Sequence, residues 1–266
     1  MDEQEFRRLA DGERFIPGIY NYCDRWCERC AFTARCRNYA TMNQQSLEEE
    51  NVAIEMEDFL AEVEQEIEGT TGEEDEMIEE LNAAAEEVSS EELQEFMAKR
   101  ERANRQAKEH PLAKDSFAYY ELVSAWRAAM KGALRERNID LASEASWAKP
   151  RTETEEGRIL DALQVVLWYQ HFIHVKLMRA LMSREDERDE NPAMKEFPKD
   201  YDGSAKIALI AMDKSIAAWA DLQKYFPSGG TEAASMIQLL QQLREATEER
   251  FPHARLFVRP GFDQEQ

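Results

Sequence analysis

The chain has 266 residues, 43% of them apolar, and a formal net charge of -22. It is long enough for a sizeable core, and its field repels nucleic acid and anionic lipid. No apolar run reaches the roughly 18 to 20 residues that span a bilayer, and the opening "MDEQEFRRLADGERF" lacks the basic and then apolar regions of a signal peptide. The expectation is a cytoplasmic protein that binds neither nucleic acid nor membrane. In that compartment thiols stay reduced, and clustered cysteines more often bind metal than form disulfides.

Three zones follow in order. Residues 1–45 form a cysteine-rich segment, 46–110 an acidic helical region, and 111–266 a helical core with a short tail. The second zone carries nearly all the net charge: residues 48–95 hold 21 Asp or Glu and no Lys or Arg. Within it, Val52, Met56, Phe59, Leu60, Val63 and Ile67 recur at helical spacing, which predicts one docked face and one solvated face. "EGTTGEEDE" then breaks the pattern, and a loop is expected at about 68–76. "SSEELQEFMAKRERANRQAKEH" runs from acidic to basic, the ordering that suits a helix dipole.

Pro111 opens the next pattern, where a first helical turn accepts proline. Tyr119, Leu122, Val123, Trp126, Met130 and Ala133 form its apolar stripe. The longest pattern covers about 153–185. Leu160, Leu163, Leu167, His171, His174, Leu177, Met178 and Leu181 fall on one side, and Lys176 and Arg179 are assigned to the solvated side. "RDENPAMKEFPKDYDG" reads as a polar connector. "SAKIALIAMDKSIAAWADLQKYF" is apolar nearly all round and is expected to be the most buried helix. "TEAASMIQLLQQLREATEERF" forms the last long helix. In the tail, Leu256 to Val258 is a short β-like patch expected to pack locally. No zone is rich in strands. The fold class is all-α, a bundle of about four long helices with flanking acidic helices.

All four cysteines lie within fourteen residues, as Cys23-x3-Cys27-x2-Cys30-x5-Cys36 in "CDRWCERCAFTARC". A C-x2-C pair makes a tight knuckle, and two further thiolates complete a tetrahedral zinc site or the corners of an iron–sulfur cube. Arg25, Arg29, Arg35 and Arg37 interleave and offset the excess negative charge of four thiolates. Both Zn2+ and a [4Fe-4S] cluster remain open, the crowded spacing leaning toward iron–sulfur.

"CERCAFTARC" resembles the cluster-binding cysteine runs of SPASM-type maturases and RecB-type nucleases. The resemblance covers about fourteen residues and implies ligand roles for Cys27, Cys30 and Cys36, with Cys23 the fourth. The remaining domains of those families are not visible in the sequence, so no catalytic role follows. "CDRWCERC" also fits the C-x3-C-x2-C spacing of radical SAM enzymes. Those need a β/α barrel, and this chain lacks alternating strands.

His171 and His174 share a helix face at i and i+3. With Glu121 and Asp213, carboxylates on otherwise apolar helices, they form a second candidate metal or redox site. The plainer reading makes both imidazoles boundary residues with polar partners. Asp213 and Lys214 likewise read as a polar network or the floor of a ligand pocket. Trp126, Trp168, Tyr169 and Trp219 line a small-molecule pocket or fill a core. No phosphate loop, dinucleotide fingerprint or nucleophile elbow is present, so the balance leans against an enzyme. The leading expectation is a metal-binding helical protein whose cysteine site is a staple or a protein-contact element. An iron–sulfur redox or iron-handling protein and a ligand-binding bundle are the alternatives. The acidic 48–95 region offers a basic protein partner an electrostatic target, and the oligomeric state stays open.

Overall fold

Apolar residues at helical spacing, with few β-branched runs, leave the chain little choice but helices that bury one face each. The structure, a computed structural model, describes residues 15–42, 90–137, 139, 152–186, 199–226 and 230–263. The helix expected from Val52 to Ile67, the loop at 68–76 and the connector over 188–198 lie outside these residues. Six helices and no strand occur among the described residues. They are α1 (37–42), α2 (Ser90–Glu109), α3 (Pro111–Glu136), α4 (Glu155–Asp186), α5 (Asp200–Tyr225) and α6 (Gly230–Arg250). The chain separates into two compact units, Met1–Phe15 with Phe32–Glu101, and Ile16–Ala31 with Arg102–Gln266. The cysteine run is therefore divided: Cys23, Cys27 and Cys30 belong to the second unit and Cys36 to the first.

In the first unit, a 3-10 turn over Thr33–Arg35 leads through Cys36 into α1. The Cys36 N–H donates to Thr33 O (3.2 Å), and the Cys36 carbonyl accepts the Ala40 N–H (3.1 Å). On the opening half of α2, Leu93, Phe96 and Met97 are exposed.

In the second unit, α3, α4, α5 and α6 form the bundle. Each packs on the next, and α6 returns to α3. The α4–α5 interface is the largest, because α5 presents small residues, Ser204, Ala205, Ala208 and Ala211, that let a neighbouring helix approach closely. The expectation that α5 is the most buried helix holds. At the start of α3, Pro111 occupies the first turn and the His110 ring accepts the Leu112 N–H at Nδ1 (3.1 Å). Trp219 donates Nε1–H to the Tyr119 hydroxyl (2.9 Å) and meets Trp126 edge-on (4.7 Å between centroids). Trp126 and Trp219 are thus core aromatics.

Three details differ from the sequence reading. First, α5 begins at Asp200, so "DYDG" belongs to the helix and not to the connector. Asp200 and Asp202 in the first turn complement the dipole. Second, the buried face of α4 is centred on Ile159, Leu163, Val166, Ile173, Leu177 and Ala180, while His171 is exposed. A stripe drawn through the histidines was rotated toward the edge of the true one. Third, the tail is a 3-10 turn, Ala254–Leu256, and not β-like. Leu256 and Val258 face outward, and Ala254 and Phe257 are the residues that bury.

Candidate functional site

The cysteine-bearing segment of the second unit, Ile16–Ala31, is built from tight turns. A 3-10 turn spans Ile19–Tyr22, another Cys27–Arg29, and the Cys30 N–H donates to Cys27 O (3.1 Å). Between them, Asp24 accepts hydrogen bonds at both carboxylate oxygens and at its carbonyl. Its Oδ1 accepts the Trp26 N–H (3.2 Å), its Oδ2 accepts the Tyr169 hydroxyl (2.6 Å), and its carbonyl accepts Trp168 Nε1–H (3.1 Å). Lys214 of α5 adds an ion pair to Oδ2 (3.3 Å) and also donates to the Tyr169 hydroxyl (2.9 Å). Burial first, and then the Asp24 charge, push the Tyr169 phenol well above its ordinary range. It stays protonated and donates to a carboxylate, the stronger kind of hydrogen bond.

Trp26 then lies flat on Trp168, 4.8 Å between centroids and 14° between planes, and meets Tyr169 edge-on. The Arg29 guanidinium sits 3.9 Å over the Trp26 ring, pairs with Asp161 (2.7 Å) and donates to Gln164 Oε1. Trp168 and Tyr169 therefore anchor the cysteine segment. Arg29, expected to balance thiolate charge, is committed to α4 instead.

At the other end, the Tyr22 hydroxyl donates to Asp200 (3.1 Å), which Arg179 grips through two nitrogens (2.7 and 3.1 Å). The Tyr22 ring meets Phe257 edge-on at 4.6 Å. The tail is fixed in turn by Asp263, which pairs with Lys206 and Arg259 (2.8 Å each). Burial alone would raise the Asp263 carboxyl, but the hydrogen bonds from Arg259 and Lys206 hold it well below the usual carboxylate range. Burial, with the charge and hydrogen bond of Asp200, pushes the Tyr22 phenol up to about 12. An unfolded chain ionises this phenol at about 10. Between those values the unfolded state releases a proton that the folded state keeps, so stability falls as pH rises through that window. Tyr22→Phe should make the alkaline fall shallower. Urea midpoints followed across the window for both chains check this, and parallel curves would refute it.

All four cysteines are thiols, none in a disulfide, and all are partly buried. Cys23 donates to Tyr20 O (3.5 Å). Arg25 has φ of 56°, the only positive φ outside glycine among the described residues. Such a conformation costs roughly 1 to 2 kcal/mol for a residue with a side chain. Burial raises the Cys23 thiol above its ordinary value. Among the described residues, no three His, Cys, Asp or Glu side chains are grouped as metal ligands.

The second candidate set is not brought together. His174 Nδ1 lies 3.0 Å from Ser116 Oγ, which donates to Ala113 O (3.0 Å). Burial, and then His171, lower the His174 pKa. His171 packs on the Tyr120 ring and Glu121 is exposed. Asp213 pairs with Arg255 (2.7 Å) and Arg244 (3.1 Å), tying α5 to α6 and the tail. A groove of about 520 Å3 does open beside α4 and α5, lined by Arg158, Asp161, Lys214, Asp221, Lys224 and Tyr225 among others. Its charged groups already pair, Lys224 with Asp221 and Lys214 with Asp24. Trp126, Trp168, Tyr169 and Trp219 do not line it.

Sequence reasoning missed Asp24, Asp161 and Lys176. A local signal existed for the first, since Asp two residues before Trp26 is the pattern of a side-chain-capped turn. Lys176 was assigned to the solvated side of α4 but is only 7% exposed. It is a correction that the turned apolar face of α4 explains. No protein-family model, curated protein or solved structure matches this chain.

Proposed function

We propose that this is a non-catalytic, cytoplasmic metal-binding helical protein. Its cysteine segment is a docked strap that holds a thiophilic centre, Zn2+ or a [4Fe-4S] cluster. The observation that carries the reading is the seating of Cys23, Cys27 and Cys30 in successive tight turns, all partly buried thiols and none in a disulfide. Thiolate is the form that binds metal. Cys23, Cys27 and Cys30 lie in consecutive turns that Asp24, Trp26 and Arg29 pin to the bundle, and the spacing of the sequence offers Cys36 as the fourth ligand. Soft thiolate donors, with no oxygen or imidazole ligand required, fit zinc or iron–sulfur and fit calcium or magnesium poorly. When bound, the metal supplies a cross-link among these turns. The acidic 48–95 region gives the assembly an electrostatic surface for a basic protein partner.

The test is purification without oxygen, followed by measurement of Zn, Fe and acid-labile sulfide. Roughly one Zn per chain with no colour supports the zinc form, and roughly four Fe with sulfide and broad visible absorbance supports the cluster. A chain that takes up neither metal refutes the reading. Replacing Cys27 and Cys30 with serine should abolish uptake, and unchanged metal content in that variant would refute ligation.

A further inference from the structure

The tail closes on itself over residues 259–263. Phe262 and Asp263 donate their N–H groups to Arg259 O (3.2 Å each), and the Arg259 N–H returns a bond to Asp263 Oδ2 (2.9 Å). The Arg259 guanidinium completes the loop, pairing with Asp263 (2.8 Å) and lying over the Phe262 ring (4.9 Å to its centre). Gly261 sits inside this loop at φ 76°, the left-handed region that favours glycine. A loop already bonded to itself loses little further freedom when it docks.

It docks on two surfaces. Lys206 of α5 pairs with Asp263 (2.8 Å) and donates to the Phe257 carbonyl. Gly261 faces the cysteine strap, where a Cβ would stand 2.9 Å from the Cδ1 atoms of both Ile16 and Ile19. A Cβ at Gly18 would meet Pro260 Cγ at 3.8 Å, and Tyr22 meets Phe257 edge-on. The tail thus covers the strap from Ile16 to Tyr22. From Asp24 onward the strap's partners change to Trp168, Tyr169, Asp161 and Lys214 of α4 and α5. Cys23 stands at the change-over. Its thiol donates to Tyr20 O (3.5 Å), inside the Ile19–Tyr22 turn that the tail covers. Cys27 and Cys30 belong to the next turn, which Trp26 and Arg29 hold to α4.

We infer that the tail is a latch on the strap. It holds the Ile19–Tyr22 turn down and governs when Cys23, but not Cys27 or Cys30, meets a thiol-seeking species from solution. One carboxylate, Asp263, serves both the closure of the loop and its tie to α5, so its loss uncovers Ile16, Ile19 and Tyr22 together. The strap opens in two stages, Cys23 with the tail and the other two thiols with the Trp26 stack. The latch concerns access to a free thiol and stands apart from metal ligation.

The test labels the reduced, metal-free full-length chain with iodoacetamide under native conditions and reads the rate at each cysteine by peptide mass spectrometry. When labelling is slower than reclosing, the rate reports the open population. Asp263→Asn should speed Cys23 by about tenfold or more, the factor that one charge-assisted hydrogen bond carries, and leave Cys27 and Cys30 at their parent rates. Gly261→Ala, which drives a methyl group into Ile16 and Ile19 at a backbone angle that alanine rarely adopts, should give the same pattern and serves where the asparagine variant does not fold. Equal acceleration of all three thiols would reduce the tail to a general stabiliser of the bundle. An unchanged Cys23 rate in both variants would show that the turn is held without the tail. Either result overturns the latch.

Discussion

Trp26→Ala should lower stability by roughly 3 to 5 kcal/mol, the range for deleting a buried aromatic side chain. Trp26 is 4% exposed and carries three contacts at once: the stack on Trp168, the edge contact with Tyr169, and the Arg29 guanidinium above its ring. Its removal also leaves Arg29, whose Nε is buried without a hydrogen bond, with less cover. The ion pairs nearby cannot make good the loss. The Lys214–Asp24 pair is half-exposed on its lysine side, and such pairs contribute about 0 to 1 kcal/mol. Chemical denaturation gives the global loss. Thiol labelling under native conditions gives the local one, because Cys23 should react much faster once the strap lifts. Labelling and stability both unchanged from the parent chain would show that the strap is held elsewhere.

How far the sequence foretold this arrangement depends on the range of the interaction. Helices α2 to α6 were legible because their signals are local: apolar spacing, Pro111 in a first turn, acidic starts and basic ends. The all-α class followed. The error at α5 arose because Gly203 and two aspartates look like loop residues locally, and only Tyr22 and Phe257 make a glycine necessary there. The error at Lys176 has the same origin. A charged residue in an amphipathic pattern is assigned to water unless the residues that cover it are known. The cysteines were conspicuous as a cluster. Their separation between two compact units, and the diversion of Arg29 to Asp161, depend on contacts across more than 130 positions. The aromatic pair Trp168 and Tyr169 shows the limit most clearly. The sequence left pocket and core both open for it, and the pair bonds Asp24 and packs on Trp26.

Gly203→Ala should destabilise the protein even though alanine favours a helix by about 1 kcal/mol over glycine. A Cβ at position 203 would stand 2.3 Å from Cε1 and 2.6 Å from Cδ1 of Tyr22, and 2.8 Å from Cζ of Phe257. Contacts this short force the rings to move, and overpacking costs typically about 1 to 3 kcal/mol. Here the displaced ring is also the anchor of the strap, since Tyr22 bonds Asp200 directly above that turn of α5. The strain therefore outweighs the propensity gain, and the strap is the part that yields. In a Tyr22→Ala background the loss should shrink, with Phe257 the remaining obstacle. A double-mutant cycle read from denaturation midpoints should then show coupling between positions 22 and 203, within the roughly 0.5 to 3 kcal/mol seen for residues in contact. Equal effects of Gly203→Ala in both backgrounds would mean that Tyr22 is not seated on α5. Labelling of Cys23 adds the direction of the effect: a ring pushed off Gly203 should expose the neighbouring thiol, and a thiol that stays protected would place the strain within the helix.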